Sequence, residues 1–481
     1  MAKLKNIIKQ LSLEDYKAIY DSLMTSNAEK SAYLLKFMRE KQLSDNKIME
    51  QLEVNTNAYY TLRSRLNQKI EEYLLQQMES PRTDLLKKVA NINEIIFTKK
   101  RAIAVATLKK LEKELLDYDL SNELTVIYKT LKKLHINTPE LFNYSQLYNR
   151  HVAYMLAIDK AEDLLAEYFK KYGLYTLSGN STEKLELTLL HREMDNVCRL
   201  YQSHRLYIYQ HCMSIFHRLF VEDEIEKTQD DLEPIEDILA NVEKIFTQYS
   251  LDSIYYHLKL VFEFLKLEYY THYKVYKKAE KYFDEVNDAI STLLTNYSLY
   301  TYPSQFLFTK VNRHIRMDAE HLMYEENEGL FQDFEVDTHD LPKYISYVTY
   351  RALSCYYANK YDEASKWINN LLNDLSLKKY PQAQLEVKLL LALQYCLLND
   401  YELFSQLLNS IQRQIRILGK DNCERMLVFT KILKTSLYDS KNGKAAKIRA
   451  LVDKLNRTEQ EGFSISNYIK MDESFIARLT T

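Results

Sequence analysis

Asn359-Lys-Tyr-Asp-Glu-Ala364 returns forty residues on as Asn399-Asp-Tyr-Glu-Leu-Phe404. Each stretch closes one apolar helical run and opens the next, so both read as the tight joint between two helices. A forty-residue interval is the length of one helical hairpin, and a hairpin cannot bury its apolar faces alone. Repeated hairpins therefore stack, and the expected architecture is an α-solenoid. Solenoids bind through surfaces that differ from one protein to the next, so the repeat specifies an architecture and no particular ligand.

Composition points the same way. The 481 residues include only six Gly and six Pro, whereas a fold built on tight strand turns needs many of both. A hydrophobic fraction of 46% is ample for a core, and the formal charge of −2 gives no general attraction to nucleic acid or anionic lipid. Any such binding would rest on a local patch. The first residues lack a sustained apolar core and a small-residue cleavage site, and the densest apolar run, Val387 to Leu398, is too short to span a bilayer and contains Gln394. A cytoplasmic protein without a membrane partner is expected. The five cysteines are widely spaced with no Cys-x-x-Cys, which argues against a disulfide framework or a zinc ribbon and for buried thiols.

Three regions follow from the punctuation. Residues 1–80 form an N-terminal helical module, with helix starts at Ser12 and Ser44. Ser80-Pro81 and Thr138-Pro139 each place a cap residue before a proline, which marks a further start. Residues 81–249 read as irregular helical hairpins, with a helix stop at Gly173 and a loop from Leu174 to Thr182. Acidic breaks are expected at Val221 to Glu233 and Glu325 to Asp340. Residues 250–481 carry the repeats and end in C-terminal capping helices.

Within the best repeat, Ala364 is small enough for its helix to approach the preceding one at Ala352, and Trp367, Ile368 and Leu371 form an apolar face. The next unit keeps Ala392, Tyr395 and Tyr401, with Phe404 in place of the alanine; a third joint lies at Tyr276 to Phe283 around Ala279, and a fourth near Ala446. An aromatic three residues before a joint alanine resembles the tetratricopeptide repeat, over about residues 250–457. The fold class is accordingly all-α: a short N-terminal helical module followed by a tetratricopeptide-like superhelical solenoid. The resemblance implies that the first helix of each pair lines the binding face. Tyr350, Tyr356 and Tyr357, on the first helix of the best repeat, are the groove candidates for a protein or peptide partner, and at least one is expected to be partly exposed.

A second resemblance lies at residues 44–78. Ile48, Leu52, Val54, Tyr59 and Leu62 have the spacing that locks two short helices across a turn, with Asn55-Thr56-Asn57 capping the second. This resembles the helix-turn-helix of bacterial regulators, including the promoter-reading segment of sigma factors. Turning Tyr59, Leu62 and Leu66 inward leaves Tyr60, Thr61, Ser64, Arg65 and Gln68 outward, a polar set suited to duplex DNA. Met49 stands where a small residue is usual, and Glu53 where a glycine would relieve a left-handed turn. Residues 1–80 are nearly neutral, but 82–110 carry eight Lys and Arg against Asp84 and Glu94.

Nucleotide-binding and hydrolase signatures are absent: no two of Gly173, Gly179, Gly329, Gly419, Gly443 and Gly462 fit a phosphate-binding loop or a nucleophile elbow. His314, Asp318, His321 and Glu325 would share one face of a continuous helix, and His191, Asp195 and Cys198 form a poorer set. Ligands confined to one helix face rarely converge on a metal, so no metal, cofactor or catalytic residue is assigned. The leading expectation is a non-catalytic interaction scaffold. The alternative is a bacterial transcriptional regulator whose N-terminal module binds DNA while the repeats sense a partner.

Overall fold

The computed structural model describes Leu4, Ile8, Leu11 and residues 13–480, apart from 27, 40–44, 78–80, 119, 202, 223–232, 250–252, 332–333, 335–336, 440–442 and 459–462. The protein is all-α, with no strand among the described residues. It divides into two compact units, Met1–His151 and Val152–Thr481. None of the described helices is long and apolar enough to cross a membrane.

The first unit holds α1 (Leu13–Thr25), α2 (Glu29–Arg39), α3 (Asp45–Gln51), α4 (Thr56–Gln77), α5 (Pro81–Ala90), α6 (Ile92–Thr98), α7 (Arg101–Asp117) and α8 (Ser121–Leu134). The division falls within α9 (Glu140–Ser178). Two separate apolar clusters form inside this unit. One gathers Ile19, Leu34, Ile48, Tyr59 and Leu66 from α1 to α4, and the other Leu85, Ile92, Leu108, Ile127 and Tyr144 from α5 to α9.

The second unit continues with α10 (Ser181–Leu200), α11 (His204–Phe220), α12 (Ile235–Gln248), α13 (Ser253–His272), α14 (Tyr276–Asp288), α15 (Ile290–Asn296), α16 (Ser304–Arg316) and α17 (Leu322–Phe331). It ends with α18 (Leu341–Tyr357), α19 (Tyr361–Asp374), α20 (Pro381–Leu397), α21 (Tyr401–Leu418), α22 (Glu424–Tyr438), α23 (Lys444–Asn456) and α24 (Glu473–Thr480). Helix α13 packs on α14, α18 on α19, α20 on α21, and α22 on α23, while α19 also packs on α20. Between these pairs, α20 packs on α22, and α16 packs on both α13 and α18. Burial of the small sites permits this closeness: Ala279, Ala352, Ala364 and Ala392 are all buried. Trp367 is half-buried, edge-on to Tyr347 at 6.1 Å, with the Arg351 guanidinium 4.7 Å from its ring centre.

The joints share one backbone solution. Asn359 (φ 57°) and Asn399 (φ 57°) both enter the left-handed region, as do Lys274 (φ 60°), Asp318 (φ 54°) and Glu53 (φ 50°). At each, the left-handed residue's N–H returns to the carbonyl three residues back, and the next N–H reaches the one five back, as in Asn359 to Tyr356 at 3.1 Å and Lys360 to Cys355 at 2.8 Å. This is the Schellman closure, which satisfies carbonyls the helix end would leave open. Glycine is its usual residue, and here none of the five is glycine.

Several sequence expectations change. Gly173 does not end a helix: α9 runs through it to Ser178, and the break is Gly179-Asn180 rather than Leu174 to Thr182. A Cβ at Gly173 would lie 3.1 Å from both Pro342 and Tyr302, so the missing side chain serves close packing. The acidic stretch from Glu325 begins inside α17, which continues to Phe331. Ala446 is exposed, and Ile448, Val452 and Leu455 are the residues of α23 that pack inward. Of the Val221 to Glu233 break, residues 223–232 lie outside the described ones, as do Ser12, Ser44 and Ser80. All five cysteines are buried and free.

Candidate functional site

The feature that stands out in the second unit is a stretch of the chain's own C-terminal region, Phe463 to Met471, lying against the first helices of successive pairs. It has little helix of its own beyond a single 3-10 turn, Ile465–Tyr468. Side chains of three first helices grip it. From α20, the buried Glu386 carboxylate accepts the Ile465 N–H at 2.9 Å. On α18, the Tyr357 hydroxyl donates to the Tyr468 carbonyl at 2.9 Å and accepts from the Lys470 N–H at 2.9 Å. Arg425 of α22 donates from Nε to Ser466 Oγ at 2.8 Å, from Nη2 to the Asn467 amide oxygen at 2.6 Å and from Nη1 to the Thr458 carbonyl at 2.8 Å.

Side chains of the segment fill complementary sites. The Tyr468 ring stacks on Phe308 of α16 with centroids 4.5 Å apart, and Phe463 meets the same Phe308 edge-on at 6.2 Å. Ile465 and Ile469 are buried. Lys470 lies in an acidic clamp, paired with Asp318 and, at 3.0 Å, with Glu320. Those partners raise its ammonium above the ordinary lysine range, to a value the pairing with Asp318 dominates. Glu268 of α13 is buried, and its carboxyl accepts from Thr309 Oγ1 at 2.9 Å. Burial pushes this acid up to about 8, so it carries a proton at neutral pH.

The predicted groove tyrosines fall differently. Tyr350 and Tyr356 are fully buried, against the expectation of a contact face. Tyr350 donates to Asn327 Oδ1 at 2.9 Å and packs edge-on to Phe331, while Tyr356 lies under Arg478, 5.0 Å from its ring centre. The cause is that α18 is apolar nearly all round and is covered on every side, as such helices are. Tyr357 is half-buried, and it is the one that touches the C-terminal segment. Sequence reasoning missed Phe308, Glu386 and Arg425. The only available signal was a carboxylate inside the apolar run of α20, at Glu386.

In the first unit, Tyr60, Thr61, Ser64, Arg65 and Gln68 are all exposed on α4, with Tyr59 and Leu66 buried and Leu62 half-buried beneath them. Asn55 Oδ1 accepts the Ala58 N–H at 2.9 Å, and Glu53 takes the left-handed turn that glycine would have favoured. Gln68 is bonded to Glu72 at 3.0 Å, and Lys69 pairs with the same carboxylate at 2.8 Å. Arg65 and Gln68 border a groove shared with Leu23, Ser26 and Lys30. In the basic stretch, Lys87, Lys88, Lys99, Lys100, Arg101, Lys109 and Lys110 are exposed.

The His314, Asp318, His321 and Glu325 array is not one helix face, because α16 ends at Arg316 and the chain turns at Asp318. His314 is buried, 2.9 Å from the Lys310 carbonyl through Nδ1 and 3.4 Å from Glu326 through Nε2, while Asp318 serves Lys470. The His314 and Lys310 contacts hold Glu326 down at about 2. His191 lies 3.8 Å from Asp195 through Nδ1 and stacks on His217 at 4.5 Å. Among the described residues no cluster of three or more His, Cys, Asp or Glu is placed to hold a metal ion. No family model, curated protein or solved structure matches the chain.

Proposed function

We propose that the chain is a non-catalytic interaction scaffold, a tetratricopeptide-like array whose first-helix face binds a peptide segment of a partner protein. The observation that carries this reading is the grip of Glu386 and Tyr357 on the backbone of residues 465–470, with Arg425 holding the Ser466 and Asn467 side chains. Peptides are commonly recognised through main-chain hydrogen bonds that give affinity and side-chain sites that give specificity. Here side chains of the face hold main-chain groups of a segment that carries one 3-10 turn, Ile465–Tyr468. Capture from the native host tests it: a protein should be recovered with the wild-type chain and lost with the Asp318→Lys, Glu320→Lys double variant. Recovery unaffected by that variant would count against the face.

The alternative is DNA binding by the N-terminal module, favoured by the exposed Tyr60, Thr61, Ser64, Arg65 and Gln68 over a buried Tyr59. On this reading Arg65→Ala weakens binding to duplex DNA, and affinity falls as salt rises because phosphate contacts release counterions. A gel shift at low salt with random duplex decides it. The absence of a shift at micromolar protein leaves α3 and α4 as a structural cap.

A further inference from the structure

We infer that Phe463 to Met471 is a resident pseudo-ligand, a strap that occupies the first-helix face and that an external peptide of similar chemistry must displace. The inference rests on the reading of that face as peptide-binding. It goes further by naming the occupant, the chemistry of its competitor and the resulting control.

The strap's contacts divide into those any peptide would make and those that select. Glu386 and Tyr357 hold main-chain groups, which every peptide offers. Selection comes from the Phe308 surface, which takes an aromatic ring, and from Asp318 and Glu320, which take a cation two residues further on. The competing partner is therefore a short peptide segment with an aromatic residue followed at the second position by Lys or Arg, able to take the same 3-10 turn before the aromatic. Its charge matters because the clamp is exposed at Asp318 and half-shielded at Lys470, so the ion pair forms and breaks in water.

The strap is also tethered on its C-terminal side. Helix α24 is anchored through buried Phe475, Ile476 and Leu479, and Ser436 Oγ donates to the Leu479 carbonyl at 2.6 Å. Asp472 caps this helix by accepting the Phe475 N–H at 2.9 Å. The strap can thus lift while α24 stays docked. Held in the same chain, it competes at an effective concentration on the order of millimolar, which suppresses any peptide of ordinary micromolar affinity.

The test uses a fluorescent peptide with the sequence of residues 463–472, Phe-Ser-Ile-Ser-Asn-Tyr-Ile-Lys-Met-Asp, titrated into the full chain. Lys470→Glu loosens the strap and leaves the face intact, and Lys470→Glu with Tyr468→Ala loosens it further. Thermal melts establish that both variants are folded. The expected result is weak binding to wild type and binding tighter by about tenfold or more in the variants. Equally tight binding to wild type and variants overturns the strap while sparing the peptide-binding reading. No binding to any of the three overturns both.

Discussion

At Lys274 the chain places a long, charged side chain where the backbone is left-handed, and four other joints put Asn359, Asn399, Asp318 and Glu53 in the same region. Asparagine and aspartate tolerate this region through local hydrogen bonds, but Lys and Glu carry the full clash of Cβ with the following carbonyl, about 1–2 kcal/mol. Lys274→Gly should therefore raise stability by about 1 kcal/mol, after the entropy glycine adds to the unfolded chain is deducted. Denaturant melts of the two proteins check this, and an unchanged or lower midpoint contradicts it. Glu268 supplies a pH test. Its carboxyl titrates near 8 when folded against 4.5 when exposed. The folded chain thus keeps a proton across that window that the unfolded chain releases, so this group's contribution falls as pH rises from 4.5 to 8 and levels off above it. Glu268→Gln, which is neutral throughout, should flatten the slope of melting temperature over that range. A slope identical to wild type would show that the carboxyl is ionised when folded.

At the scale of elements, the α18–α19 joint is where sequence and structure agree most closely. Ala364 is buried with no accessible surface. Ala364→Arg forces a charge and a long side chain between two helices, and a loss of several kcal/mol is expected. A thermal melt unchanged by that substitution would contradict the packing. The joint was legible because Asn-x-Tyr recurs at an interval a helical hairpin dictates, and local turn chemistry is written in local residues. Gly173 shows the converse, since a glycine in a helical run signals either a stop or a close approach, and only Pro342 and Tyr302, distant in sequence, decide between them. Tyr350 and Tyr356 are expected on a binding face because the tetratricopeptide resemblance puts first helices there, whereas α18 is buried over most of its length. The strap was illegible for a related reason. Phe463 to Met471 has no helical period, and its meaning depends on Glu386, Tyr357 and Phe308, which lie roughly eighty to one hundred and sixty residues earlier.

Over the whole molecule, helical class was readable from scarce glycine and proline together with helical periodicity, and the described residues bear it out. What composition does not carry is the way the chain's end returns to its own first helices, since that contact follows from packing across the second unit. On the reading proposed above, this face receives a peptide and the chain's own strap now holds the place. Hydrogen exchange at the Ile465 and Lys470 amides reads it directly, because these are the groups that donate to Glu386 and Tyr357. When a captured partner, or the 463–472 peptide at saturating concentration, is added to the full chain, both amides should lose protection while those of Phe475 to Leu479 keep theirs. Partner binding with Ile465 and Lys470 still fully protected would contradict the claim.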